Sequence, residues 1–462
     1  MITTNVPTVI EEGAGVIPPL GLLYVASYLK KFTNHEIKIL DLQLNELSSL
    51  EVEQYFLKER PDVVGITAIT FMMIDTINLV RQIKKILPQT KIILGGPHIN
   101  IYPQETLAIK EVDFLILGEG EQPCLDLINN INDQTKLKDV TGLAFMTGEN
   151  YINTGARPLL QNLDELPFPA REITDYKRYY STLSHTNPTT SMFTSRGCPY
   201  QCVFCDRPHL GKFFRARSAK NVVEEMLAIK KLGINEIFIY DDTFTIDRQR
   251  VIDVCREIIR LNLKINWDIR ARVNTVDEEL LLLMKKAGCV RIHYGVESGV
   301  DQILINLRKG ITVEMVKKAF KLTHKIGIET AGYFMLGCPG EKIDDIKATI
   351  KLAKKLKPAY AHFSVLTPFP ATDIYFIGLK NGLIKKDVWR EFALNPKEDF
   401  VPPVWEENFS KDELIKLLKK AYFSFYFRPS VIWHQFLKLK SWSDFSKKFK
   451  IALGFLKMKL FK

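Results

Sequence analysis

The chain has 462 residues, 46% of them hydrophobic and 11% aromatic, with 64 Lys+Arg against 53 Asp+Glu for a formal charge of +11. This length predicts about two to four domains with ample core. The wealth of large apolar residues excludes a disordered chain, and 25 Gly and 22 Pro exclude a collagen-like one.

The first residues, MITTNVPTVIEEG, lack the basic start and apolar run of a secretory leader, which predicts a cytoplasmic protein. The longest apolar stretch, Val63 to Val80, is interrupted by Thr67, Thr70, Asp75, Thr76 and Asn78. It falls short of the roughly 20 residues that span a bilayer, so no transmembrane helix is expected. From Leu20 to about Glu121, short β-branched runs (Glu36 to Leu40, Asp62 to Thr67, Lys91 to Gly96, Asp113 to Gly118) alternate with helical patterns (Leu20 to Lys31, Glu51 to Arg60, Met72 to Leu87, Gln104 to Lys110). Strand then helix, repeated, predicts a parallel sheet wrapped by helices. Ligands of such sheets sit beyond the carboxyl ends of the strands, which puts Thr67, Thr70, Gly95, Gly96, Glu119 and Gly120 at a candidate binding rim. His98 is read there as a hydrogen-bonded loop histidine and not as a metal ligand. A strand pair follows at Gly142 to Met146 and Tyr151 to Asn153. The proline-flanked segment Leu163 to Arg171 then marks a linker.

A second strand and helix series has strands predicted at Thr190 to Thr194, Glu236 to Tyr240, Asn266 to Ile269, Val290 to Tyr294, Thr330 to Phe334 and Tyr360 to Val365. Six units are too few to close an eightfold barrel of about 250 residues, so an open partial barrel is expected. Directly after its first strand comes Thr194-Ser195-Arg196-Gly197-Cys198-Pro199-Tyr200-Gln201-Cys202-Val203-Phe204-Cys205, a CxxxCxxC. A closed zinc site needs a fourth ligand, for which His209 is the only near candidate. Three thiolates on a four-iron cluster instead leave one iron open. The single cysteines Cys124, Cys255, Cys289 and Cys338 read as buried core residues.

The CxxxCxxC, with the aromatic Phe204 before its last cysteine, resembles the signature of the radical S-adenosylmethionine (SAM) superfamily. The resemblance implies that Cys198, Cys202 and Cys205 ligate a 4Fe-4S cluster, that SAM chelates the open iron, and that a 5'-deoxyadenosyl radical follows its cleavage. It also implies that Asp241 or Asp242, at the end of Glu236 to Tyr240, meets the SAM amino group. Arg270 or Arg272 would hold its carboxylate, and Glu297 and Ser298 its ribose hydroxyls. The Rossmann-like first half, with Pro18-Pro19-Leu20-Gly21 and Gly95-Gly96-Pro97-His98, resembles the cobalamin-binding subgroup of that superfamily. No D-x-H-x-x-G is present, so the resemblance names no lower cobalt ligand. The implied fold is α/β: a flavodoxin/Rossmann-like cobalamin-binding domain (1–155), a linker (156–185), a partial (β/α)6 radical SAM core (186–375) and a helical, aromatic and basic extension (376–462).

The last 52 residues, from Lys411, hold 13 Lys+Arg against 3 Asp+Glu, which is +10 of the +11, and 12 of the 49 aromatics. Asp412 to Ala421 and Tyr422 to Phe427 suit a helical cap over the open barrel, with solvated lysines. Phe445 to Phe461, with Lys447, Lys448, Lys450, Lys457 and Lys459, suits a peripheral membrane contact. The leading expectation is a radical SAM enzyme with cobalamin that methylates or oxidatively cyclises a small or lipid-soluble substrate, using a flavodoxin or ferredoxin as reductant and binding no nucleic acid. Two alternatives stand beside it. An RNA-modifying methylthiotransferase relative would typically carry three further cysteines in the first domain, where only Cys124 stands. A zinc-stabilised nucleic-acid-binding protein would use the cysteine cluster and the basic tail.

Overall fold

The computed structural model describes residues 2–3, 15–206 and 212–428. His209 and the basic stretch from Phe445 onward lie outside the described residues. Two parallel sheets carry the fold. The first has strands β1 (Ile2–Thr3), β3 (Leu40–Asp41), β4 (Val63–Thr67), β5 (Lys91–Gly95), β6 (Phe114–Ile116), β7 (Leu143–Thr147) and β8 (Asn150–Asn153), in the order β3-β1-β4-β5-β6-β7-β8. The pairs from β3 to β6 are parallel, and β7 and β8 close one edge antiparallel. The expected strand Glu36 to Leu40 is shifted and shortened to β3, which pairs with β1 at two positions among the described residues. β2 (Gly15–Val16) pairs antiparallel with β9 (Tyr180–Ser181), which brings the linker back beside the first sheet.

The second sheet is the expected six-stranded half-barrel, all parallel: β10 (Thr189–Met192), β13 (Glu236–Ile239), β14 (Asn266–Ala271), β15 (Cys289–Glu297), β16 (Glu329–Leu336) and β17 (Tyr360–Val365). Its outer face packs on amphipathic helices. In the Arg248–Arg260 helix, Val251, Val254, Cys255 and Ile258 form the buried stripe, and Asp247 caps its start by accepting from the Arg250 amide at 3.0 Å. Trp267 and Tyr294 are fully buried in this core, and the Trp267 indole donates to the Ala287 carbonyl at 2.8 Å. Each such side chain removes apolar surface worth about 1.5–3 kcal/mol from water. Cys124, Cys255, Cys289 and Cys338 are all buried, as expected of core residues.

An open sheet has two edges whose backbone groups need partners. On β17 the Lys411–Tyr426 helix supplies them. The Tyr422 hydroxyl accepts from the Phe363 amide at 3.1 Å and donates to its carbonyl at 2.8 Å, and Tyr426 does the same at Ala361 (3.0 and 2.9 Å). Spacing of four along the helix matches spacing of two along the strand. The helix is thus the cap that its apolar face predicted. On β10, Arg171 from the linker donates to the Ser191 carbonyl at 2.6 Å and is paired with the buried Glu225. No helix among the described residues is long and apolar enough to cross a membrane.

Candidate active site

The carboxyl ends of the two sheets face each other. On one side Arg196, beyond β10, meets Glu119, beyond β6, at 2.9 Å. On the other, Phe71, beyond β4, packs edge-on against Phe369, beyond β17, with ring centroids 5.4 Å apart. β4 and β6 flank β5, and β10 and β17 are the half-barrel's two edges, so these seams bracket a chamber walled by strand-end loops from both sheets.

The cysteine loop hangs in this chamber from a short hairpin, β11 (Ser195–Arg196) with β12 (Arg215–Ala216). Its root is pinned by Asp241. That fully buried carboxylate accepts from the Thr194 amide (2.6 Å), the Ser195 amide (3.1 Å) and both hydroxyls, while Arg250, positioned by the Asp247 cap, donates to the Thr194 hydroxyl at 2.9 Å. The adjacent Asp242 points elsewhere. It is reachable by solvent, yet the surrounding protein holds its carboxyl above the ordinary range, with Arg270 acting in the opposite direction. Cys205 shows the same combination: exposed, but with its thiol pushed up to about 12 by desolvation and then by Cys202, Asp242 and Cys198. Cys198 is half-buried, and Cys202 is buried with Arg272 donating to its sulfur at 3.6 Å.

Burial and then the neighbouring thiols raise the Cys198 and Cys205 thiols, and a cationic cluster that takes all three as thiolates would remove that repulsion on binding. Among the described residues no three His, Cys, Asp or Glu side chains converge on a single metal ion. Ligands of a four-iron cluster each meet a different iron and stand farther apart.

The two arginines offered by the sequence separate cleanly. Arg272 is buried, stacks 3.8 Å from the Tyr200 ring centre and donates to the Lys309 carbonyl. Arg270 is exposed to the chamber, 4.5 Å over the Tyr240 ring. Glu297 ends β15 at a register shift with a left-handed φ of 65°, and its carboxylate takes Lys309 Nζ at 2.7 Å. Lys309 in turn lies 5.7 Å over Phe204. Ser298 turns away: it is fully buried, with its hydroxyl 3.3 Å from that of Thr349 and accepting from the Val300 amide at 3.3 Å.

In the first sheet, the β4, β5 and β6 loops are tied together. The Ala68 amide donates to the Gly95 carbonyl, the His98 amide to the Ala68 carbonyl, and the Gly118 amide to Asn100 Oδ1. Gly96 has a φ of 109°, and a Cβ there would stand 2.8 Å from the Ala68 carbonyl oxygen, so only glycine permits this loop contact. Thr67, Gly95, Gly96 and Gly118 make a rim of small residues, and a Cβ added at Gly118 would meet nothing within 4 Å. A flat macrocycle fits such a rim. Thr70 is buried beneath it, its hydroxyl 3.2 Å from His98 Nδ1. Burial pushes the His98 pKa down to about 4, leaving a neutral imidazole. Two expected rim residues serve differently. Glu119 has both oxygens engaged, by Arg196, Arg215 and the Leu160 amide, and Gly120 packs toward Val25.

Inside the half-barrel, neighbouring strands align Asp268, His293 and Tyr333. His293 Nδ1 is 2.9 Å from the Tyr333 hydroxyl and its Nε2 is 3.4 Å from Asp268. Sequence reasoning missed Asp268, Lys309, Arg215 and the partners of Arg196. Lys309 had no spacing to the cysteine motif to reveal it; a basic residue on each side of the cysteine run was the one readable sign of the hairpin.

Family models match at both halves: the B12 binding domain over residues 6–128 and the radical SAM superfamily over 192–353. An uncharacterized methyltransferase of Pyrococcus horikoshii is 35% identical over 90% of this chain and 89% of its own length. An anaerobic magnesium-protoporphyrin IX monomethyl ester cyclase of Rubrivivax gelatinosus is 29% identical over 93% and 77%. Among solved structures, the radical SAM methyltransferase TsrM of Kitasatospora setae, with cobalamin and a [4Fe-4S] cluster bound, shares the fold with a TM-score of 0.69 at 20% identity, over 82% of this chain and 74% of that one. The chain therefore belongs to the radical SAM superfamily, among its enzymes with a B12-binding domain, and works with a 4Fe-4S cluster, SAM and cobalamin.

Proposed function

We propose that this enzyme transfers a methyl group to a carbon or phosphorus centre of a small amphipathic substrate held in the chamber between the two sheets. In this reading Cys198, Cys202 and Cys205 hold the cluster. Asp242, whose carboxyl Arg270 acts to lower against the raising effect of desolvation, takes the amino group of SAM and Arg270 its carboxylate. Glu297, oriented by Lys309, takes the ribose hydroxyls. The small-residue rim of Thr67, Gly95, Gly96 and Gly118 seats the corrin, above Thr70 and His98. Bound there, the cluster supplies the electron that cleaves SAM into its radical, and cobalamin supplies a transferable methyl group. The chain's own part is to orient these groups and exclude water.

The observation that supports the reading is that the Arg196–Glu119 and Phe71–Phe369 contacts join the strand ends that carry the cysteine loop to those that carry the glycine rim. The substrate class follows from its walls. Phe71 and Phe369 are solvent-reachable aromatics at the rim, while Arg270, His293 and Tyr333 give the half-barrel a polar interior. An apolar body with a polar or anionic end suits both. The likeness to the anaerobic cyclase, over 93% of this chain, supports oxidative ring closure as a second reading. A flavodoxin or ferredoxin would reduce the cluster. Residues 1–155 and 186–375 act as the two cofactor domains, and the basic, aromatic stretch Phe445 to Phe461 as a peripheral anchor on anionic lipid.

Full-length protein reconstituted anaerobically with iron, sulfide and hydroxocobalamin, then given SAM labelled in its methyl group and a reductant, is expected to yield 5'-deoxyadenosine and to load label onto the corrin. Absence of both products from iron-loaded protein would overturn the reading.

A further inference from the structure

The hairpin that carries the cysteine loop is not self-sufficient. β11 and β12 are two residues each, and Arg196 and Arg215 stand directly opposite one another in that ladder. A two-residue ladder is marginal, and like charges placed opposite across strands are destabilising. What reverses the repulsion is Glu119, from the β6 loop of the other sheet. Its Oε1 lies 2.9 Å from Arg196 Nη1 and 2.9 Å from Arg215 Nη2, and its Oε2 lies 3.0 Å from Arg215 Nη1 and 3.1 Å from the Leu160 amide. Glu121, first residue of the Glu121–Asn130 helix, takes the other guanidinium nitrogen of Arg196, whose plane also covers the Tyr24 ring at 5.4 Å. The group is out of water: side-chain exposure is 11% for Glu119, 10% for Arg196, 4% for Arg215 and 8% for Glu121. Buried guanidiniums without these carboxylates would be left as uncompensated charges, which is strongly unfavourable.

The consequence is directional. Arg196 lies two residues before Cys198, and Glu119 lies one residue after Gly118, a member of the rim assigned to the corrin. The stem of one cofactor loop is therefore closed by the backbone segment that borders the other cofactor. We propose that Glu119 is a positioning residue that couples the two sites, so that seating a corrin against the Gly118 rim and assembling the cluster on Cys198, Cys202 and Cys205 favour each other. This rests on the assignment of that rim to cobalamin made above. By linkage, the factor by which the cluster tightens cobalamin binding equals the factor by which cobalamin tightens the cluster.

The test is a titration of the full chain with hydroxocobalamin, read by quenching of tryptophan fluorescence, in iron-loaded and iron-free forms. The cluster is expected to tighten binding about fivefold to a hundredfold, the usual span for coupled sites. Glu119→Gln, which keeps the shape and removes the charge, is expected to bring that ratio close to one, and Glu119→Asp to recover part of it. If a variant does not fold, wild type alone decides: saturating hydroxocobalamin is expected to slow loss of iron to a chelator. Equal binding by both wild-type forms, or a ratio unchanged in a folded Glu119→Gln, would overturn the coupling and leave the cofactor assignment standing. Failure of either form to bind hydroxocobalamin would remove that assignment and the coupling with it.

Discussion

Lys309 Nζ meets Glu297 Oε1 at 2.7 Å across the bare Cα of Gly295, where an added Cβ would stand 2.5 Å from Oε1 and 2.7 Å from Nζ. Glu297 holds a left-handed φ that costs of order 1 kcal/mol for a residue with a side chain, and such strain persists where the surroundings impose it. Gly295→Ala is expected to break the pair and weaken SAM binding by about tenfold, or 1.4 kcal/mol, with the cluster retained. Equilibrium dialysis with SAM checks it, and unchanged affinity in a folded variant would sink the ribose assignment.

Asp241 and Asp242 are neighbours with opposite surroundings, and their amide variants are expected to fail differently. Asp241→Asn removes a buried charge that receives four hydrogen bonds and leaves Arg250 unpaired, a loss of about 3–5 kcal/mol. It should reduce iron content after reconstitution. Asp242→Asn should keep its iron and lose SAM affinity. Iron analysis beside SAM dialysis separates the two, and an Asp242→Asn protein without iron would contradict this division of roles.

The half-barrel was largely readable because its strands and helices have clean periods, and all six predicted strands appear in the order in which the chain makes them. The division of labour within pairs was not readable. Which of Asp241 and Asp242 faces the chamber, and which of Arg270 and Arg272, depends on a side-chain direction fixed only by packing against other strands. Ser298 sits in the expected motif, but tertiary packing sends its hydroxyl to Thr349. The loop position of Glu119 predicts a ligand residue, and the partners its carboxylate meets lie 77 and 96 residues further along the chain. The tail reading divides in the same way: the amphipathic half is the helix on β17, and the basic half lies beyond the described residues.

The Tyr422 and Tyr426 hydroxyls close the β17 edge by bonding its backbone amides and carbonyls. Replacing both by Phe keeps the rings and removes the hydroxyls from the amides and carbonyls of Phe363 and Ala361. Each position is expected to cost about 1–2 kcal/mol. Urea denaturation should show a lower midpoint with little change in slope, and a stability equal to wild type would contradict the edge-covering role.

Glu341 is fully buried, accepts from the Gly337 and Cys338 amides at 2.6 and 3.0 Å, and has its other oxygen without a partner among the described residues. Burial pushes its pKa from 4.5 to about 7, with the two amides acting in the opposite direction. The folded state therefore binds this proton more tightly than the unfolded chain. The resulting stability is full below about pH 4.5 and is lost as pH rises to about 7, a change of about 3 kcal/mol at most. Glu341→Gln should flatten that part of the stability curve and exceed wild type at pH 8. A wild-type curve with no fall across this window, or one that the variant leaves unaltered, would contradict the argument.

In this assignment Cys198, Cys202 and Cys205 hold a cluster with one iron open to SAM, and electron paramagnetic resonance of the reduced, iron-loaded full chain reads that iron. The expected result is a four-iron cluster signal whose shape changes when SAM is added, and which is lost from a Cys198→Ala variant. A protein carrying one zinc and no iron, or a cluster signal indifferent to SAM, would contradict it.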